Sequence, residues 1–172
     1  MRAPLISAIH GLHFTSMGRT IRNALLPLGA ACVVLLALSS CASLQRGADK
    51  GVVQRVAGFI NDGDSKSLTA MSTSPFLIDG EIVPLPADVA AFWTGIVQAG
   101  FKVDGAELDT GTAVSADSFK QFAGTTEVRF WFSRYAKGSR IISLAASGGK
   151  HVLLVVRPEW FTWKLLGFKG PF

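Results

Sequence analysis

Pro75-Phe76-Leu77-Ile78-Asp79-Gly80-Glu81-Ile82-Val83-Pro84 is the stretch that decides the fold. Two short apolar runs flank Asp79-Gly80. That pair is the strongest short-range hairpin signal, because a two-residue I′ turn needs positive φ at both central positions. Pro84 and Pro86 close the unit. Pro86 then suits the first turn of a helix, and Asp88 falls near the positive end of its dipole. Val89, Phe92, Trp93, Ile96 and Val97 recur at helical spacing, and Gly100 supplies a stop. An apolar face this wide and bulky is built to cover a sheet.

Upstream of the hairpin, Val52, Val53, Val56, Phe59 and Ile60 make one apolar helical stripe from about Gly51, ended by Asn61-Asp62-Gly63. Asp64 or Ser65 caps a second, short helix that carries Leu68 and Met71 and is broken by Pro75. Downstream the chain reads as β-rich. Phe101 to about Val114 is a predicted strand, and Ser115–Phe122 a short helical turn. Thr125–Tyr135 alternates, with Val128, Phe130 and Phe132 on one side and Glu127, Arg129 and Ser133 on the other, and is predicted as a strand. Ala136–Ser139 turns the chain, Arg140–Ala146 returns, and Gly148-Gly149 turns it again. His151–Arg157 and Trp160–Phe168 complete the set.

Helix, short helix, hairpin, long helix and then about four antiparallel strands: this order resembles the nuclear-transport-factor-2-like superfamily, which includes ketosteroid isomerase and the SnoaL-like proteins. The residues that carry the resemblance are Asn61-Asp62-Gly63-Asp64, Leu68, Pro75-Phe76, Asp79-Gly80, Phe92-Trp93 and Trp163-Lys164-Leu165. It covers about Gly51 to Phe168. It implies an α+β fold in which a curved antiparallel sheet wraps the helices into a cone. It also implies either a pocket inside that cone or a sheet face used for dimerisation or protein binding. Fold alone does not choose between these uses.

The start of the chain has a different character. Arg19 and Arg22 precede a largely apolar run from Ala24 to Leu38. A basic start, a short apolar core and small residues form the pattern of an export signal, and the run is short for a permanent span, which needs about 20 apolar residues. It ends in Leu38-Ser39-Ser40-Cys41, which resembles the lipobox of bacterial lipoproteins. The resemblance implies cleavage between Ser40 and Cys41 and acylation of the Cys41 thiol. Residues 1–40 are thus expected to be the signal, with Met17 a better start than Met1. Residues 41–50 are expected to be a tether, and 51–172 a single α+β domain. Ala42 in place of an aspartate favours the outer membrane, with the domain in the periplasm or at the cell surface.

Composition narrows the function. The chain has 17 basic and 12 acidic residues. Arg2, Arg19 and Arg22 leave with the signal, so the mature net charge falls to +2, poor support for nucleic-acid binding. The second half is the basic one, from Lys120 to Lys169, but its charges are scattered singly over the elements. Cys32 lies in the signal and Cys41 is taken by acylation, leaving the mature domain one histidine, His151. A Cys/His zinc site is excluded on that count, and no cofactor motif is present. Asp104, Glu107 and Asp109 read as a solvated strand edge, and Asp79 as a turn residue serving the backbone. Tyr135, the only tyrosine, is the one weak catalytic candidate.

Binding is therefore the expected role, with the lipid bilayer as a partner through acylated Cys41. Phe59, Phe92, Trp93, Ile96, Phe130 and Phe132 are the candidate lining of an apolar pocket in the cone. Several strands are apolar on both faces: Trp131 lies opposite Phe130 and Phe132 in the strand reading, and Trp160 and Phe161 point to opposite sides. A sheet of this kind is covered on both sides. The long helix supplies one cover. The other is a second copy, an envelope partner or the membrane, unless the fold itself shields both faces. The competing classes are an enzyme of the ketosteroid-isomerase or SnoaL-like type and a purely structural envelope protein.

Overall fold

The computed structural model describes Gly47 and residues 49–171, with the backbone alone described over 105–110. These residues belong to a compact unit, Leu44–Phe172. The expected signal, Met17, the lipobox with Cys41, and the tether apart from Gly47, Asp49 and Lys50 lie outside the described residues, as do the side chains of Glu107 and Asp109.

Helix α1 spans residues 49–62 and buries Val52, Val53, Val56 and Ile60 of the expected stripe, together with Ala57, while Phe59 is half-buried against the same core. Gly63, at φ 75°, ends it. The Gly63 N–H donates to the Ile60 carbonyl and the Asp64 N–H to that of Phe59, the paired closure that satisfies the last carbonyls of a helix. Asp64 then caps α2, Ser65–Met71, by accepting from the Ser67 N–H at 3.0 Å and the Ser67 hydroxyl at 2.6 Å. Strands β1, Ser72–Ile78, and β2, Glu81–Val83, form the hairpin. Asp79 and Gly80 take φ values of 49° and 95° at its turn, as the I′ reading demands. Helix α3, Pro86–Gln98, follows, with Pro in its first turn.

Strand β3, Val103–Ala113, a short 3₁₀ turn, Ser118–Gln121, helix α4, Thr126–Tyr135, and strands β4, Arg140–Ala146, β5, Lys150–Glu159, and β6, Thr162–Lys169, complete the chain. The architecture is α+β. The six strands form one open sheet in the order β2-β1-β6-β5-β4-β3. The sheet is mixed, which corrects the expected antiparallel one: β1 runs parallel to β6, pairing Leu77 with Gly167 and Ile78 with Phe168. Gly167 makes this approach possible, since a Cβ there would meet the Leu77 Cβ at 3.0 Å.

The largest correction is α4. Thr125–Tyr135, predicted as a strand, is a helix. Its apolar residues satisfy two periods at once. The alternation of Val128, Phe130 and Phe132 suggests a strand, but Val128, Trp131, Phe132 and Tyr135 also recur at three and four, and those are the residues the protein packs. The end signals decide it. The Thr125 hydroxyl accepts from the Val128 N–H, Glu127 sits in the first turn and Arg134 in the last, each favourable to the helix dipole.

The sheet therefore has a cover on each face, both from the chain itself. Phe76, Ile142, Leu144, Val152, Leu154, Val156, Leu165 and Phe168 pack with α1, α2 and α3. Leu77, Ile141, Val155 and Leu166, which point the other way, pack with Phe119, Phe122, Val128, Trp131 and Phe132. Trp93 and Trp131 are the bulkiest side chains of the two cores and both are fully buried. Each indole N–H has an acceptor: the Ser72 hydroxyl at 2.8 Å for Trp93 and the Pro75 carbonyl at 3.3 Å for Trp131, which removes the penalty of burying it.

Candidate functional site

A groove opens on the described surface where α1 begins. Gly47, Gly51 and Arg55 recur every four residues along one face of its first turns. Two glycines there leave room, and the β5–β6 hairpin lies across the gap. Between them is a groove of about 370 Å³, walled by Gly47, Gly51, Val52 and Arg55 on the helix side and by Glu159, Trp160, Phe161, Thr162 and Trp163 on the hairpin side.

Trp160 and Phe161 form the tip of that hairpin, because Glu159 pairs with Thr162 directly across it. The expected strand from Trp160 to Phe168 thus starts two residues later. The two rings do not face opposite sides of a sheet; they project beyond it, Trp160 95 % and Phe161 98 % exposed. Two-residue turns favour Gly, Asn or Asp, and this one holds two large aromatics. On the strand just before it, Arg157 reaches Glu159 at 3.3 Å and donates to the Tyr135 carbonyl. This ion pair is partly exposed and adds little stability, but it occupies the one acid that lines the groove among the described residues. Arg55 and Lys50 are exposed.

Beneath the helix start is a buried pair. Asp49 and Arg140 meet at 2.7 Å, with side chains 2 % and 18 % exposed. Arg140 also donates to the Gly111 carbonyl. The Asp49 Oδ1 has no hydrogen-bond partner among the described residues. The pair fastens the first turn of α1 to β3 and β4, and so holds one wall of the groove in place.

The structure brings together only part of the expected pocket. Trp93 contacts Phe92, Phe76 and Phe168 with ring centroids 4.8, 5.9 and 5.7 Å apart, and Phe59 and Ile96 pack on the same core. These four expected residues meet on one core, Trp93 fully buried and Phe59, Phe92 and Ile96 half-buried. Phe130 and Phe132 are elsewhere, as a consequence of α4: Phe132 is buried on the opposite face of the sheet and Phe130 is 60 % exposed. Tyr135 lies in the last turn of α4, its ring 6.3 Å from that of Trp131, on the far side of the sheet from the Trp93 core. The Asp79 carboxylate accepts from the Gly170 N–H at 2.8 Å, a backbone role. Among the described residues no group of three His, Cys, Asp or Glu side chains is placed to hold a metal ion.

The hairpin tip and the Asp49–Arg140 pair are what sequence reading missed. The first had a signal, since Glu159-Trp160-Phe161-Thr162 interrupts the alternation of both flanking strands. The second had none, because its partners are 91 residues apart. Comparison with protein-family models, with curated proteins and with solved structures finds no match for this chain.

Proposed function

We propose that this chain is a lipoprotein of the bacterial envelope whose domain binds rather than catalyses. In this reading residues 1–40 direct export, Cys41 is acylated, and a short tether carries one nuclear-transport-factor-2-like domain. One juxtaposition carries it: the lipobox Leu38-Ser39-Ser40-Cys41 follows the apolar run directly, and the compact unit starts at Leu44, just past the cysteine. Two acyl chains give a stable anchor where one alone is marginal. The cone reading draws support from the element order and from β1 lying between β2 and a parallel β6. Phe76, Trp93 and Phe168 pack ring against ring in the core under the helices, and the groove beside the β5–β6 tip offers a binding surface outside it. Ala42 favours the outer membrane.

The test is intact-mass analysis of the protein from a bacterial membrane fraction, beside a Cys41→Ala variant. The expected result is a chain that begins at Cys41 and carries acyl mass, with the variant left as the uncleaved precursor. An unmodified chain that retains residues before Cys41 would sink the reading.

A further inference from the structure

We propose that the Trp160–Phe161 hairpin tip is a second membrane contact, which seats the domain on an anionic lipid surface beside its anchor. The inference rests on the acylation of Cys41 proposed above. Three observations carry it.

The first is the tip itself. Two adjacent aromatics are almost wholly in water, at a turn whose geometry gives no reason for them. Among the described residues Asp79 is the only non-glycine at positive φ, so the tip does not need special turn residues, and it carries a tryptophan and a phenylalanine. Tryptophan is the residue that best suits the boundary between headgroups and acyl chains, where one side of the indole is apolar and its N–H is wet.

The second is reach. Gly47 lines the same groove as the tip, and it lies six residues after Cys41. A fully extended chain of that length spans at most about 22 Å. An acylated Cys41 therefore keeps Gly47 and the groove it lines within about 22 Å of the bilayer, where even a weak contact is held at high effective concentration.

The third is charge. Arg55 in the groove wall is exposed, as is Lys50, which precedes the wall residue Gly51 in the chain, and Glu159 is engaged by Arg157. The surface around the tip is thus basic, and each such residue close to a membrane is attracted to anionic headgroups. Apolar tip and basic collar together match an anionic lipid surface. A protein partner would need no such collar, and a second copy would bring like charge against like.

The test uses the full chain on phosphatidylcholine–phosphatidylglycerol vesicles whose acyl chains are brominated near the headgroup end. Trp93 and Trp131 are fully buried; Trp163 is half-buried in the same groove, so Trp160, at the tip, is the tryptophan that lipid bromine reaches most readily. Brominated lipid is expected to remove roughly a quarter of the emission, Trp160 being one of four tryptophans. Most of that loss should disappear in Trp160→Phe, and it should shrink in Arg55→Glu. Trp160 exposed and unquenched on vesicles that hold the protein would overturn the proposal. So would a blue shift of Trp160 that grows with protein concentration without lipid, which would assign the tip to a second copy. Intact mass of the same sample reads acylation separately. An unmodified Cys41 ends the anchoring reading, and quenching of Trp160 by added vesicles still decides the hairpin.

Discussion

Asp49 in the first turn of α1 and Arg140 at the start of β4 meet at 2.7 Å in a site closed to water on the aspartate side. Removing one member of a buried pair leaves the other charged and unpaired, and costs more than the pair itself contributes. Asp49→Ala should lower unfolding stability by about 3–5 kcal/mol. A double change, Asp49→Leu with Arg140→Met, should recover much of that loss. Urea denaturation of the single and double variants measures both, and a single-variant loss below about 1 kcal/mol would reject the clip.

Gly111 is constrained by the same site. A Cβ there would stand 2.5 Å from the Asp49 Oδ2 and 3.1 Å from an Arg140 nitrogen. Gly111→Ala should therefore destabilise by pushing the carboxylate off the guanidinium, and its effect should overlap that of Asp49→Ala instead of adding to it. Additive losses in the double variant would place the strain elsewhere.

Helix α4 gives a sharper contrast. Trp131 is fully buried, whereas Phe130 beside it is 60 % exposed. Trp131→Ala should cost about 3–5 kcal/mol, and Phe130→Ala within about 0.5 kcal/mol of zero. In a strand, Phe130 and Phe132 would share a buried face and truncating either would be costly. Equal losses at 130 and 132 would thus argue for the strand.

Acid acts on the cap of α2. Hydrogen bonds from the Ser67 side chain and backbone hold the Asp64 carboxyl below the usual value of 3.8. A group whose pKa is depressed on folding contributes stability above its unfolded value, and the contribution is lost as pH falls through the lower, folded one. The stability gap between the wild type and Asp64→Ala should be widest at neutral pH and narrow below about pH 4. A gap unchanged from pH 7 to pH 3 would show that the carboxylate charge has no part in the cap.

How far the fold was legible depends on whether its signals were local. Gly63 and Gly100 as helix stops, Asp64 as a cap and Asp79-Gly80 as a tight turn are local, and each lies where the sequence put it. The wide face of α3 was legible because five apolar residues fit one period alone. The segment 125–135 was not, because its aromatics fit two periods and only the faint end signals of Thr125, Glu127 and Arg134 separate them. That one error displaced a third of the expected site: it moved Phe130 and Phe132 to the wrong surface and left a sheet face without its cover. The parallel pairing of β1 with β6 and the meeting of Asp49 with Arg140 depend on residues about 90 apart, and no local pattern announces them.

With both faces of the sheet roofed by the chain's own helices, only its borders remain for strand addition. Among the described residues β2 is one border and β3 the other. The first is three residues long and runs into Pro84. The second shifts register twice against β4, between Val103 and Leu108 and again before Gly111. Neither offers a straight row of free amides and carbonyls to a neighbour. Copies of this protein can therefore be crowded together without their sheets joining edge to edge into fibres.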